Sequence, residues 1–132
     1  MGISKLNNLK ILDCFNNAGI YNVNHMANSL EELNASGKYC SITQNGISKL
    51  KNIKVLNCSD NKNICDVNHL GTTLEKLSCC DNTGLGQKGI SNLKNIRTLI
   101  CSNNKDIADV NYLADTLEIL GCRGKCGIDQ NG

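Results

Sequence analysis

The string Gly-Ile-Ser occurs at residues 2–4, 46–48 and 89–91, spaced by 44 and then 43 residues. A fixed period of this size constrains a chain more than composition does, because it demands a stacked architecture in which each repeat covers its neighbour. Each period holds two shorter units. Both open on an apolar residue, with a second three positions on and a Cys or Ala two after that. Six openings follow in phase: Leu9-Leu12-Cys14-Asn17-Ile20, Leu30-Leu33-Ala35-Lys38-Ile42, Ile53-Leu56-Cys58-Asn61-Ile64, Leu74-Leu77-Cys79-Asn82-Leu85, Ile96-Leu99-Cys101-Asn104-Ile107 and Leu117-Leu120-Cys122-Lys125-Ile128. Starts at 9, 30, 53, 74, 96 and 117 lie 21 to 23 residues apart and group into three duplexes of 43–44 residues.

Over essentially its whole length the chain resembles the leucine-rich repeat family, whose signature is L-x-x-L-x-L-x-x-N/C within units of about 20–29 residues. It is most similar to the short internalin-like and intracellular subclasses. Cys or Ala stands at the third Leu, and Lys38 and Lys125 stand where the family has Asn. The resemblance implies an α/β solenoid forming one domain over residues 1–132. Its parallel β-sheet would line a concave face, with short 3₁₀ or irregular segments on the convex face. It also implies a non-catalytic scaffold for protein–protein interaction.

Elementary geometry gives each motif position a role. Alternate strand side chains point to opposite faces, so Leu12, Cys14 and their equivalents should turn inward. Cys14, Ala35, Cys58, Cys79, Cys101 and Cys122 would form an inward ladder of thiols that pack as small apolar groups. The Asn at 17, 61, 82 and 104 can bond backbone as the chain leaves the strand, whereas Lys38 and Lys125 cannot accept such bonds, so those two turns should be looser or differently satisfied. Return segments such as Ile64-Cys65-Asp66-Val67-Asn68-His69-Leu70 and the Gly-Ile-Ser strings are short enough for 3₁₀ or single-turn helices only. Lys10, Glu31, Lys54, Glu75, Arg97 and Glu118 alternate in sign, which opposes a one-unit slip of the stack.

With one Phe, three Tyr and no Trp, the core must be filled by Leu, Ile and Cys. A net charge of +2, with both signs interspersed, provides no basic stripe for phosphate, so nucleic acid is an unexpected partner. No apolar run approaches the roughly eighteen residues of a membrane span, and residues 1–8 lack a signal-type apolar core. A cytoplasmic protein is expected. Nine cysteines, an odd number, together with no Pro, argue for free thiols rather than a disulfide framework. A zinc site built from Cys79-Cys80, or from Cys122 and Cys126, with His25 and His69 would need four converging ligands. The repeat instead spreads these residues along the stack, and Tyr112 occupies the His position in the third duplex. Cys80, one residue beyond the ladder, should face outward and be the most reactive thiol. Neither a catalytic constellation nor a cofactor is expected, and residues 84–89, which have G-x-G-x-x-G spacing, lack the helix and acidic residue a phosphate loop needs.

Function should therefore reside in the outward strand positions. The expected partner-binding residues are Ile11, Asp13, Phe15, Glu32, Asn34, Val55, Asn57, Ser59, Lys76, Ser78, Thr98, Ile100, Ile119 and Arg123. Apolar side chains among small polar ones suit a protein partner. Neither end carries a polar cap, so the chain is expected to be a fragment of a longer array or to stack end to end on copies of itself. That self-assembly is the alternative function.

Overall fold

The computed structural model describes residues 2–131; Met1 and Gly132, the ends of the expected domain, lie outside the described residues. Six three-residue strands form one sheet: β1 (Ile11–Asp13), β2 (Glu32–Asn34), β3 (Val55–Asn57), β4 (Lys76–Ser78), β5 (Thr98–Ile100) and β6 (Ile119–Gly121). Their spatial order is their chain order, and every pair is parallel. A parallel neighbour can be reached only by a crossover. Each unit therefore leaves its strand, returns behind the sheet and re-enters one rung along. Ile11, Glu32, Val55, Lys76, Thr98 and Ile119 form one cross-sheet row, and Leu12, Leu33, Leu56, Leu77, Leu99 and Leu120 the next.

Two residues after each ladder position the backbone swings into the left-handed region at Asn16, Gly37, Asp60, Asp81, Asn103 and Gly124. Only Gly, Asn and Asp visit this conformation cheaply, and only these three types occur there. The bend turns the chain off the sheet. Odd units then return through 3₁₀ turns, Asn24–Met26, Asn68–Leu70 and Asn111–Leu113. The second and fourth units use single α-turns, α1 (Gln44–Ile47) and α2 (Gln87–Ile90). Thr43 caps α1, its hydroxyl accepting from the Gly46 amide at 3.0 Å. This alternation of return segments matches the two sequence flavours.

One continuous cluster of buried apolar residues fills the space between sheet and return segments. It contains Leu33, Leu56, Leu77 and Leu99 from the strands, Val23, Val67 and Val110 before the 3₁₀ turns, and Ile47 and Ile90 from the α-turns. Phe15 and the tyrosines stay outside.

Two expectations are corrected here. The inward ladder is buried at Cys14, Ala35, Cys58, Cys79 and Cys101, but Cys122 is exposed and Leu120 is 39% accessible. Both sit on the last rung, where no described unit covers them. The alternating charges pair as Lys10–Glu31 at 3.2 Å, Lys54–Glu31 at 3.7 Å and Arg97–Glu118 at 2.8 Å, while Glu75 joins no ion pair among the described residues. The Lys10 bond, and then the charge of Lys54, hold the Glu31 carboxyl below its ordinary pKa. No helix among the described residues is long and apolar enough to cross a membrane.

Among the described residues, Asn17, Asn61 and Asn104 bond backbone as expected, and Asn82 does not. Asn61 is buried, donating from Nδ2 to the carbonyls of Ala35 (2.8 Å) and Ile42 (3.1 Å) while its Oδ1 accepts from the Asn63 amide (2.9 Å). Asn104 repeats this with Cys79, Leu85 and Asp106. Asn17 accepts from the Gly19 and Ile20 amides at 2.8 and 2.9 Å. Asn82, however, is exposed, and Thr83 turns in beside Cys58 instead. Even units thus bring in Cys40, Thr83 or Cys126, each two residues before its apolar closer. The turns at Lys38 and Lys125 are satisfied without an Asn through amides bonded to the preceding unit: Tyr39 and Lys125 donate to Asn16 and Asn103 Oδ1, and Ser41 and Gly127 to the Asn17 and Asn104 carbonyls.

Candidate functional site

Short strands with inward Leu leave their flanking residues on the opposite side of the sheet. Each of Ile11, Asp13, Phe15, Glu32, Asn34, Val55, Asn57, Ser59, Lys76, Ser78, Thr98, Ile100, Ile119 and Arg123 is exposed or half-buried. The register aligns them in rows. Ile11 to Ile119 form the first row, and Asp13, Asn34, Asn57, Ser78, Ile100 and Gly121 the second. A shallow depression of about 230 Å³ is shared by Ile11, Asp13, Glu32, Asn34, Val55 and Asn57, so β1, β2 and β3 bring those six together. The remaining candidates continue along the sheet outside it. Ile11 and Phe15, at 62% and 61% accessible, are its most prominent apolar groups.

Charge along these rows is polarised. Asp13 and Glu32 lie at the β1–β2 end, while Lys76 and Arg123 lie in the β4–β6 half. Ile100 leans toward Gly121, where an added Cβ would come within 2.9 Å of its Cδ1.

Some of the expected binding residues already have structural roles. The side-chain oxygens of Asp13, Asn34 and Asn57 accept from the amides two residues on, Phe15 (2.9 Å), Ser36 (3.1 Å) and Ser59 (3.1 Å). Such Asx turns steer the chain out of the strand. The row beyond them runs from exposed Phe15 through Ser36, Ser59, Cys80 and Ser102 to Arg123. Ser36 is buried despite its outward register, because its hydroxyl folds back onto Asn34. Ser59 Oγ accepts from the Cys80 amide at 3.0 Å, and Ser102 Oγ from the Arg123 amide at 3.1 Å. These serines knit one rung to the next.

Cys80 is half-buried, its thiol directed at the Ile100 carbonyl 3.5 Å away, so the most accessible thiols are instead Cys65 and Cys122. All nine cysteines are free. Burial raises the thiol pKa of Cys14 to about 11 and of Cys58 to about 12, and pushes Cys40, Cys79 and Cys101 up as well. Thiolates, the nucleophilic form, are thereby suppressed along the ladder. His25, His69 and Tyr112 play the same part in their units, each ring reaching back to an isoleucine carbonyl, of Ile3 (3.0 Å), Ile47 (3.1 Å) and Ile90 (2.7 Å) respectively. A donor serves that carbonyl, which explains why Tyr can replace His there. No group of three His, Cys, Asp or Glu residues among the described residues could hold a metal ion.

A feature not anticipated from the sequence is the rim formed by the left-handed residues. Asn103 Nδ2 donates to Asp81 Oδ1 at 3.0 Å, while Asn16, Asp60 and Asn103 each accept from an amide of the following unit. Its signal was present in the sequence, since every residue two beyond the ladder is Asn, Asp or Gly. A hollow of about 440 Å³ opens beside it, lined by Lys62, Lys105 and Lys125 with Asp81 and Asp106. No family model, curated protein or solved structure matches this chain.

Proposed function

We propose that the chain is a leucine-rich repeat solenoid whose sheet lines a concave face, and that it serves as a non-catalytic scaffold binding a protein partner there. One observation carries the reading: six strands in unbroken register present two solvent-facing rows that hold apolar Ile11, Val55, Ile100 and Ile119 among small polar groups, with exposed Phe15 just beyond them. Stacked repeats make extended recognition surfaces of this kind. Apolar anchors inside a polar surround are the composition from which protein interfaces draw most of their affinity.

The charge polarity narrows the partner. A fitting protein brings basic groups to Asp13 and Glu32 and acidic groups to Lys76 and Arg123, which fixes its direction along the sheet. Free, mostly buried thiols support a reducing, cytoplasmic setting.

The test is quantitative binding of the captured partner, repurified, to the native chain and to three variants. Phe15→Glu and Ile100→Glu should each weaken binding by about tenfold or more, because a truncated or charged anchor costs at least ~1.4 kcal/mol. Lys49→Glu, on the return-segment side, should bind as the native chain does. Equal loss in all three, or loss in Lys49→Glu alone, would move the site off the sheet.

A further inference from the structure

Neighbouring units meet in two kinds of junction. An odd-on-even junction, where an odd unit sits on the even one before it, bonds through the buried amides of Asn61 and Asn104. An even unit seated on the odd one before it instead brings a small side chain against that unit's ladder thiol. Cys40, Thr83 and Cys126 hold this place, 26, 25 and 25 residues after Cys14, Cys58 and Cys101. In the middle pair Thr83 Oγ1 donates to Cys58 Sγ at 3.8 Å. In the third pair the sulfurs of Cys101 and Cys126 stand 3.7 Å apart, the one sulfur-to-sulfur hydrogen bond among the described residues.

Backbone bonds fix this meeting from both sides. Gly127, next to Cys126, donates its amide to the Asn104 carbonyl at 3.1 Å, and an added Cβ there would come within about 2.5 Å of the Lys105 carbonyl oxygen. Gly84 docks beside Thr83 in the same way, its amide on the Asn61 carbonyl at 3.0 Å. Cys101 is held from the other direction: its amide donates to the Gly121 carbonyl at 2.7 Å, and its own carbonyl accepts from the Asn104 amide at 3.1 Å. Neither thiol can draw away from the other without breaking these bonds. Cys101 is also fully enclosed. A disulfide holds its sulfurs about 2.05 Å apart, so rotation of the two side chains has roughly 1.7 Å to close.

We propose that Cys101 and Cys126 are a reversible oxidation site, closing a disulfide that staples the sixth unit to the fifth when a peroxide is present. In a reducing setting the pair rests as two thiols. Oxidation takes two steps. One thiol of the pair, ionised, attacks a peroxide oxygen; its S–O bond forms as the O–O bond breaks, and the departing hydroxide takes up the released proton as water. The other sulfur then attacks this sulfenic sulfur. The S–S bond forms as the S–O bond breaks, and the second thiol's proton leaves with the hydroxide as a second water. Two thiols lose two electrons in all, and one peroxide gains them. The middle pair lacks the second sulfur at Thr83, so its junction stays unbridged in either redox state. The site stands apart from partner binding, since neither cysteine belongs to the outward rows.

The test treats the full chain, reduced and then freed of reductant, with hydrogen peroxide at about pH 8.5, where a thiol pushed up by burial, as Cys101 is, still ionises often enough to react. Remaining thiols are alkylated in denaturant and the peptides mapped by mass. A peptide pair joining residues 101 and 126 should dominate the bridged products, and dithiothreitol should remove it. The urea midpoint of the oxidised chain should rise by about 1–2 M, the shift expected when a loop of this size is closed in a small protein. Cys126→Ser should fold as the native chain does, because Thr83 already places a hydroxyl at this junction, and peroxide should not raise its midpoint. A bridge from Cys122 to either residue in its place, no bridge while exposed Cys65 is oxidised, or an equal midpoint rise in Cys126→Ser would overturn the proposal.

Discussion

Asn61 and Asn82 stand at the same offset, three residues, from Cys58 and Cys79, yet only Asn61 is enclosed in the core, at 1% accessible. The difference lies in the residues just downstream. Asn61 has its apolar closer three residues on, at Ile64, and its amide fills the space beneath two carbonyls. In the fourth unit the closer, Leu85, is likewise three residues beyond Asn82, but Gly84 lets the chain press against the Lys62 and Ile64 carbonyls, where a Cβ would come within about 2.6 Å, and Thr83 takes the inward place. Replacing Asn61 with Leu should cost about 3 kcal/mol, since two buried carbonyls and one amide lose their partner. Replacing Asn82 with Leu should stay within about 0.5 kcal/mol. Urea unfolding of both variants checks this, and equal costs would show that Asn61 is not the support it looks to be. The motif positions were legible because six copies aligned them. The polar role at one offset was not, since a side chain's environment depends on a neighbouring unit whose backbone path the motif does not encode.

At the scale of elements, three-residue strands and single-turn helices are too short for any one to declare itself by periodicity. Repetition supplied what each lacked, and the strands sit where the alternating apolar positions put them. The α-turns carry a glycine that propensity alone would mark as a defect, because Ala is favoured over Gly in a helix by about 1 kcal/mol. Packing reverses that sign. A Cβ on Gly46 would collide with the Tyr21 carbonyl, and one on Gly89 with the Cys65 carbonyl. The carbonyls of these same glycines accept from the Val23 and Val67 amides at 2.9 Å, so the α-turns cannot withdraw without breaking a rung-to-rung bond. Gly46→Ala and Gly89→Ala should each destabilise by about 1–3 kcal/mol, the range for overpacked sites. Denaturant midpoints decide it, and a gain in stability would mean the return segments are looser than they look.

For the molecule as a whole, the buried thiols and Tyr112 make stability depend on alkaline pH. Desolvation by burial is the leading cause in each case, raising Cys14 to about 11 and Cys58 and Tyr112 to about 12, against ordinary values of 9.0 for the thiols and 10.0 for the phenol. Folded values above unfolded ones mean that the neutral form is favoured in the fold. Their contribution is complete below about pH 9 and drains away as pH rises through 11 to 12. Thermal midpoints should therefore hold level to about pH 9 and then fall, and Cys58→Ala should shallow the fall; a flat profile to pH 12 would contradict the burial of the thiols. The alternation of units has a last consequence, for how such a gene can change length. Removing two consecutive units keeps every odd-on-even junction, so an in-frame loss of one 43-residue pair leaves a shorter protein with all its contacts of the same kind. Removing one unit brings Glu31 beside Glu75 and faces two return segments of the same type. Recombination between copies is thus tolerated in even steps, and the heritable module is the pair.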